Sequence, residues 1–240
     1  IVAEAITQDR IQGIQYYVQQ GNIDSGISVH TNYRLGTRPV GDLPGDALHT
    51  ANNTIPHLSL RDVPGALGDN LQFSGRLGGR WLDGPNGLRL GLSGSIANVD
   101  PADLAALTAA GAPLAGVASP KKQMLQYGPD FTYRLPSGFL VQSEAYWAEA
   151  SDLRYFAGNI LGGWESPSGW KAFVRYGVQD MFTPATANPL TWDLKQLSVS
   201  VVQPIRKGVW LQYEYEKNAE LTNGPKVKND VFFVELFSGF

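Results

Sequence analysis

Arg76, Arg80 and Arg89 stand in a stretch rich in Gly, Leu and Ser, and their spacing asks for a chemical reason. With Asp83-Gly84-Pro85-Asn86 read as a four-residue turn between two strands, Arg80 falls directly opposite Arg89. Arg76 lies on the same face, roughly 13 Å along the strand. Like charges set face to face destabilise a sheet, so either a use or a set of partners is expected. The use open to a cationic stripe is to attract anions or polar solutes from water. The alternative is that each guanidinium meets an acid from a folded-in loop (Asp42, Asp46, Asp62 or Asp69) or reaches into water along its aliphatic stem. Further bases in similar runs are Arg134, Lys171 and Arg175, and the acids are Asp130, Glu144, Glu214, Glu216 and Glu235. Asp130 and Glu144 oppose each other across the Pro136 turn.

Catalytic chemistry has little material. There is no Cys, which excludes disulfides, thiolate metal sites and a thiol nucleophile, and His30, His49 and His57 are the only histidines. No G-x-S-x-G, H-E-x-x-H, P-loop or dinucleotide fingerprint occurs. Ser28 and His30 share a strand face, but with Asp24 and Arg34 they read as polar lining. We therefore expect no enzyme, no metal and no cofactor. A net charge of -3 and a pI near 5.6 provide no bulk cationic surface, so no nucleic-acid partner is expected. Mean hydropathy is -0.17, and the least polar window, Leu104 to Ser119, is too short and too rich in Ala, Gly and Thr for a membrane helix. The chain opens at Ile1 directly in a strand-like run, which leads us to expect a mature or shortened chain.

The elements that position these charges alternate with period two. Leu88, Leu90, Leu92 and Ile96 oppose Arg89, Ser93 and Ser95; Ala172, Val174, Tyr176 and Val178 oppose Lys171, Arg175 and Gln179. Val209, Leu211, Tyr213 and Tyr215 oppose Trp210, Gln212, Glu214 and Glu216 in the same way. Weaker runs lie at Ile1 to Thr7, Ile11 to Gln20, Leu153 to Trp164 and Trp192 to Gln203, the last with an expected phase change near Gln196. Short turns at Asp83 to Asn86, Pro136 to Gly138, Ser166 to Gly169 and Pro204 to Gly208 alternate with long loops, the exception being a short link near Ser151-Asp152. The two longest loops cover 36–70 and 100–122; Asp103 to Val117 could form a short helical turn.

This arrangement predicts an all-β, antiparallel up-and-down barrel of roughly twelve strands, one transmembrane domain over 1–240. A soluble sandwich, with the apolar faces inside, is the competing architecture. Against it, Trp81, Trp147, Trp164 and Trp170 sit near the ends of the apolar faces, like an interfacial girdle, and the polar faces carry Gly, Ser and Gln rather than mixed charge. The barrel reading points Leu90, Leu92, Val141, Val174, Leu211 and Val234 to lipid, and Arg76, Arg89, Gln142, Arg175, Gln212 and Glu235 to the lumen.

The last strand, Val231-Phe232-Phe233-Val234-Glu235-Leu236-Phe237-Ser238-Gly239-Phe240, resembles the C-terminal signature of Gram-negative outer-membrane barrels. The hairpin from Leu197 to Glu216 is similar to the last hairpin of porins, both general and substrate-biased. The resemblance implies a bacterial outer-membrane location, contact with lipid and lipopolysaccharide, and an assembly signal at Phe240 read by the barrel-assembly machinery. It also implies a pore for passive diffusion of small polar or charged solutes, with the bases and acids named above lining it. Glu214, Glu216 and Glu235 are expected to face the arginine hairpin across the lumen. Such porins have about 16–18 strands, which leaves open a small barrel or the C-terminal part of a larger one. A homo-oligomer, a lumen-filling partner protein, a sleeve or export duct around a polymer and, less favoured, a lipid-modifying enzyme are the other readings left open.

Overall fold

The structure, a computed structural model, describes residues 13–31, 34–39, 54–59, 71–81, 87–99, 105, 109, 123–151, 153–181, 190–222 and 229–239. The strands are β1 (Gly13–Gln20), β2 (Ile23–Thr31), β3 (Arg34–Pro39), β4 (Thr54–Ser59), β5 (Leu71–Trp81), β6 (Gly87–Asn98) and β7 (Gln123–Arg134). They continue with β8 (Phe139–Ala150), β9 (Leu153–Glu165), β10 (Lys171–Met181), β11 (Leu190–Arg206), β12 (Val209–Thr222) and β13 (Val231–Ser238). An 11-stranded antiparallel sheet runs β1-β2-β5-β6-β7-β8-β9-β10-β11-β12-β13, every strand beside its successor except where β3 and β4 form a separate two-stranded hairpin. Among the described residues the wall has 11 strands, where about twelve are expected. The run Ile1 to Thr7 lies outside the described residues, and among the described residues β1 and β13 form the two unpaired edges.

The short turns gather at one end, and glycine is required there. Gly138 has φ 88°, and a Cβ on it would collide with the Glu165 carbonyl, whose own NH donates to Gly138 O at 3.0 Å. Gly208, at φ 74°, is likewise pressed against Gly239, whose NH donates to Gly208 O at 2.7 Å. At the opposite end is the short link through Ser151, a non-glycine residue at φ 57°. Two expectations need correction. The 36–70 loop contains most of a hairpin, β3 with β4, and β4 comes against β11 on the far side of the sheet. Strand β11 stays in phase through Gln196; its irregularities lie between Leu190 and Asp193 and between Pro204 and Arg206. In the 100–122 loop, Ala105 and Ala109 are helical.

Burial decides between sandwich and barrel. The apolar face is bare: Leu92 is 58% exposed, Val174 49% and Val234 50%. On the polar face Asp24, Gln126 and Ser198 are buried. A water-soluble sandwich would show the reverse, because an exposed apolar surface this extensive is unfavourable in water. Aromatic contacts brace the bare face, with Tyr127, Trp147 and Phe156 in successive strands at ring separations of 6.0 and 5.2 Å. Trp81 folds its indole over Gly79, where a side chain would clash.

Candidate functional site

The β5–β6 register pairs Arg80 with Arg89 and Arg76 with Ser93, as the four-residue turn requires. What relieves the repulsion is a single carboxylate from the neighbouring strand. Asp24 on β2 is 1% exposed and lies 3.7 Å from Arg76, 3.8 Å from Arg80 and 3.9 Å from Arg89. These are ionic contacts, since neither carboxylate oxygen of Asp24 has a hydrogen-bond partner. From the other side Asp130 on β7 takes the Arg76 guanidinium in a two-pronged bridge, Nη1 to Oδ2 and Nη2 to Oδ1, the latter at 2.8 Å.

Glycine makes this cluster possible. The register runs Asp24–Gly78–Gly91–Asp130–Glu144 across five strands, so the two positions between the aspartates have no side chain. A Cβ on Gly78 would sit 2.6 Å from Asp24 Oδ1. One on Gly91 would overlap both the Arg76 guanidinium and Asp130. Along each strand face the pattern reads Arg76-Gly78-Arg80 and Arg89-Gly91-Ser93, large beside small. That alternation was the available signal for a shared counter-ion; sequence reasoning placed Asp24 only among polar lining residues and gave the glycines no part. The described counter-ions thus come from the wall itself, and Asp42, Asp46, Asp62 and Asp69 lie outside the described residues.

The other charged residues also pair between close strands. Arg175 Nη2 is 3.4 Å from Glu216 Oε1 and 4.0 Å from Glu214 Oε1. Ser198 on the intervening β11 donates to Glu214 at 3.0 Å, as does Gln212 at 2.8 Å. Arg134 donates to Glu165 at 2.8 Å, and Lys171 approaches the same carboxylate at 3.1 Å. Glu165, absent from the sequence-based set, therefore serves two predicted bases. Glu144 sits opposite Asp130, and Glu235 opposite Gln212. Arg175 thus stands beside the acids of β12, and the arginine hairpin beside Asp24 and Asp130. Phe240 lies outside the described residues.

Next to the arginines the polar face is neutral. Ser28, Ser74, Ser95 and Gln126 stand in one lateral row on β2, β5, β6 and β7. His30 Nε2 lies 2.9 Å from Ser74 Oγ, and Ser95 donates to Gln126 at 3.2 Å. With Arg76 and Arg89 at one end, this row floors a concavity of about 450 Å³. The His30–Ser74 pair sits on the polar face, away from the surface that lipid would touch. Among the described residues no group of three His, Asp or Glu could hold a metal ion. Toward the long-loop end the same face turns apolar and covered: Met124 is 2% exposed, Leu153 1% and Tyr155 5%.

No protein-family model matches the chain, and no curated protein matches it in sequence. The fold is similar to that of the outer membrane channel DcaP of Acinetobacter baumannii, with a TM-score of 0.64 at 11% identity, covering 95% of this chain and 62% of that one. It is also similar to OccK11 (OpdR) of Pseudomonas aeruginosa, with a TM-score of 0.50 at 11% identity, covering 96% of this chain and 71% of that one. The chain thus spans less than two thirds of the length of DcaP. At such identity the likeness bears on fold alone: the chain has the antiparallel, up-and-down wall architecture of outer-membrane channel barrels.

Proposed function

We propose that the protein is a pore of the bacterial outer membrane for passive diffusion of small polar or charged solutes. The observation that carries this reading is a single-layer sheet with a bare apolar face on one side and, on the other, a polar face whose charges are balanced by neighbouring strands. Lipid covers the first and water fills the second, which is the division of labour in a transmembrane barrel. The β3–β4 hairpin, reaching β11, narrows the path. Arg76, Arg80, Arg89, Arg134, Lys171 and Arg175, with Asp130, Glu144, Glu214, Glu216 and Glu235, line it. Lipopolysaccharide contacts the outer rim, and the barrel-assembly machinery reads the strand that ends in Phe240. The fold likeness to DcaP and OccK11, both channels, supports the same reading.

The test is conductance in planar bilayers. A water-filled pore gives steady single-channel currents, and changing Arg80 and Arg89 together to Glu shifts the reversal potential toward cations, more at low salt than at about 1 M. An unchanged reversal potential at low salt would take these side chains out of the conducting path. The sleeve reading draws on the covered apolar patch around Met124, Leu153 and Tyr155, and it expects no steady current.

A further inference from the structure

The arginine hairpin looks like an anion attractor until its partners are counted. Arg76, Arg80 and Arg89 face Asp24 and Asp130 on the same wall, and Glu144 stands beside Asp130 on the next strand. Arg76 is held on both sides, and Asp24 is shared by all three guanidinium groups. A solute entering the adjoining concavity therefore meets guanidinium groups already engaged by carboxylates of the wall rather than free cations.

What the concavity does offer is neutral hydrogen bonding in a regular array. Ser28, Ser74, Ser95 and Gln126 follow one another across four strands, about 4.8 Å apart. Each hydroxyl can both donate and accept. His30 and Gln72 close the row on one side. The volume, about 450 Å³, is that of a small-molecule site.

We propose that this concavity is a solute-binding step for neutral polyhydroxylated molecules of mono- or disaccharide size, a proposal that rests on the pore reading above. Hydroxyls spaced along a sugar ring match an array of groups that both donate and accept. An anion gains little, because the guanidinium groups already face carboxylates; a cation gains little for the same reason. An apolar solute would leave the row of hydroxyls unpaired.

The experiment is sugar block of the salt current through the protein in planar bilayers, with maltose as the neutral probe and gluconate as the anionic one. Maltose is expected to reduce the current at concentrations where gluconate has no effect. Ser74→Ala with Ser95→Ala should raise the half-blocking maltose concentration about tenfold, roughly threefold per lost hydroxyl, each block being measured relative to the variant's own unblocked current. Gln72→Leu should act in the same direction. Gluconate blocking more tightly than maltose, or a maltose block untouched in both variants, would overturn the proposal while leaving the pore intact. A wild-type protein with no conductance would remove the pore reading and this proposal together.

Discussion

Replacing Asp24 with Asn isolates the electrostatic role of one buried carboxylate. The substitution keeps shape and removes the charge that three arginines share at 3.7, 3.8 and 3.9 Å. At an effective dielectric near 20 each contact has a ceiling of about 4 kcal/mol. Arg80 and Arg89 are 47% and 43% exposed, so solvent reduces their share towards the ~0–1 kcal/mol of exposed pairs. Selectivity is the cleaner readout. The cluster becomes more positive by one charge, and a permeating ion about 8 Å away feels roughly 0.5 to 2 kcal/mol, depending on whether water or protein sets the dielectric. Screening at about 0.1 M salt halves this, leaving an anion preference increased by a factor of roughly 1.5 to 5; at about 1 M it vanishes. Reversal potentials across a salt gradient, measured in both ranges, give the answer. A variant that conducts normally with an unshifted reversal potential at low salt, or one shifted toward cations, would refute the reasoning.

Gly91→Ala places a methyl group against the Arg76 guanidinium and Asp130; we expect a loss of about 1–3 kcal/mol in denaturant unfolding of the detergent-refolded protein, larger than for Gly162→Ala, where nothing stands within 4 Å. Spin labels at Val174 and Arg175 should report opposite environments in bilayers, the first accessible to oxygen and the second to a water-soluble relaxant; equal accessibility would refute a two-faced wall. Deleting Phe240 should impair assembly in the outer membrane more than refolding in detergent, because one terminal side chain contributes only ~1.5–3 kcal/mol by burial. Equal losses in the two settings would assign the residue to stability alone.

Much of the wall was legible because a strand's side chains alternate strictly, so the faces of β5–β13 follow from composition at every second position. The Arg80–Arg89 pairing was legible too, since a hairpin's turn length sets its register. Neither signal reaches beyond adjacent strands. That Asp24 would serve Arg76, Arg80 and Arg89 depended on β2 crossing 31–71 to pair with β5, and on Gly78 and Gly91 leaving room for long side chains to meet. The hairpin β3–β4 was missed because its strands are short, contain Pro39 and Pro56, and lack clear alternation. Period two alone does not say which face is bare, because it serves a soluble sandwich and a membrane wall alike; the tryptophans at the ends of the apolar faces and the Gly-, Ser- and Gln-rich polar faces pointed to the membrane wall. The tertiary structure agrees, leaving the apolar side of a single sheet uncovered and setting the buried carboxylate on the other. Periodicity tells a residue which neighbours share its face; long-range pairing determines which charges lie close enough to balance one another.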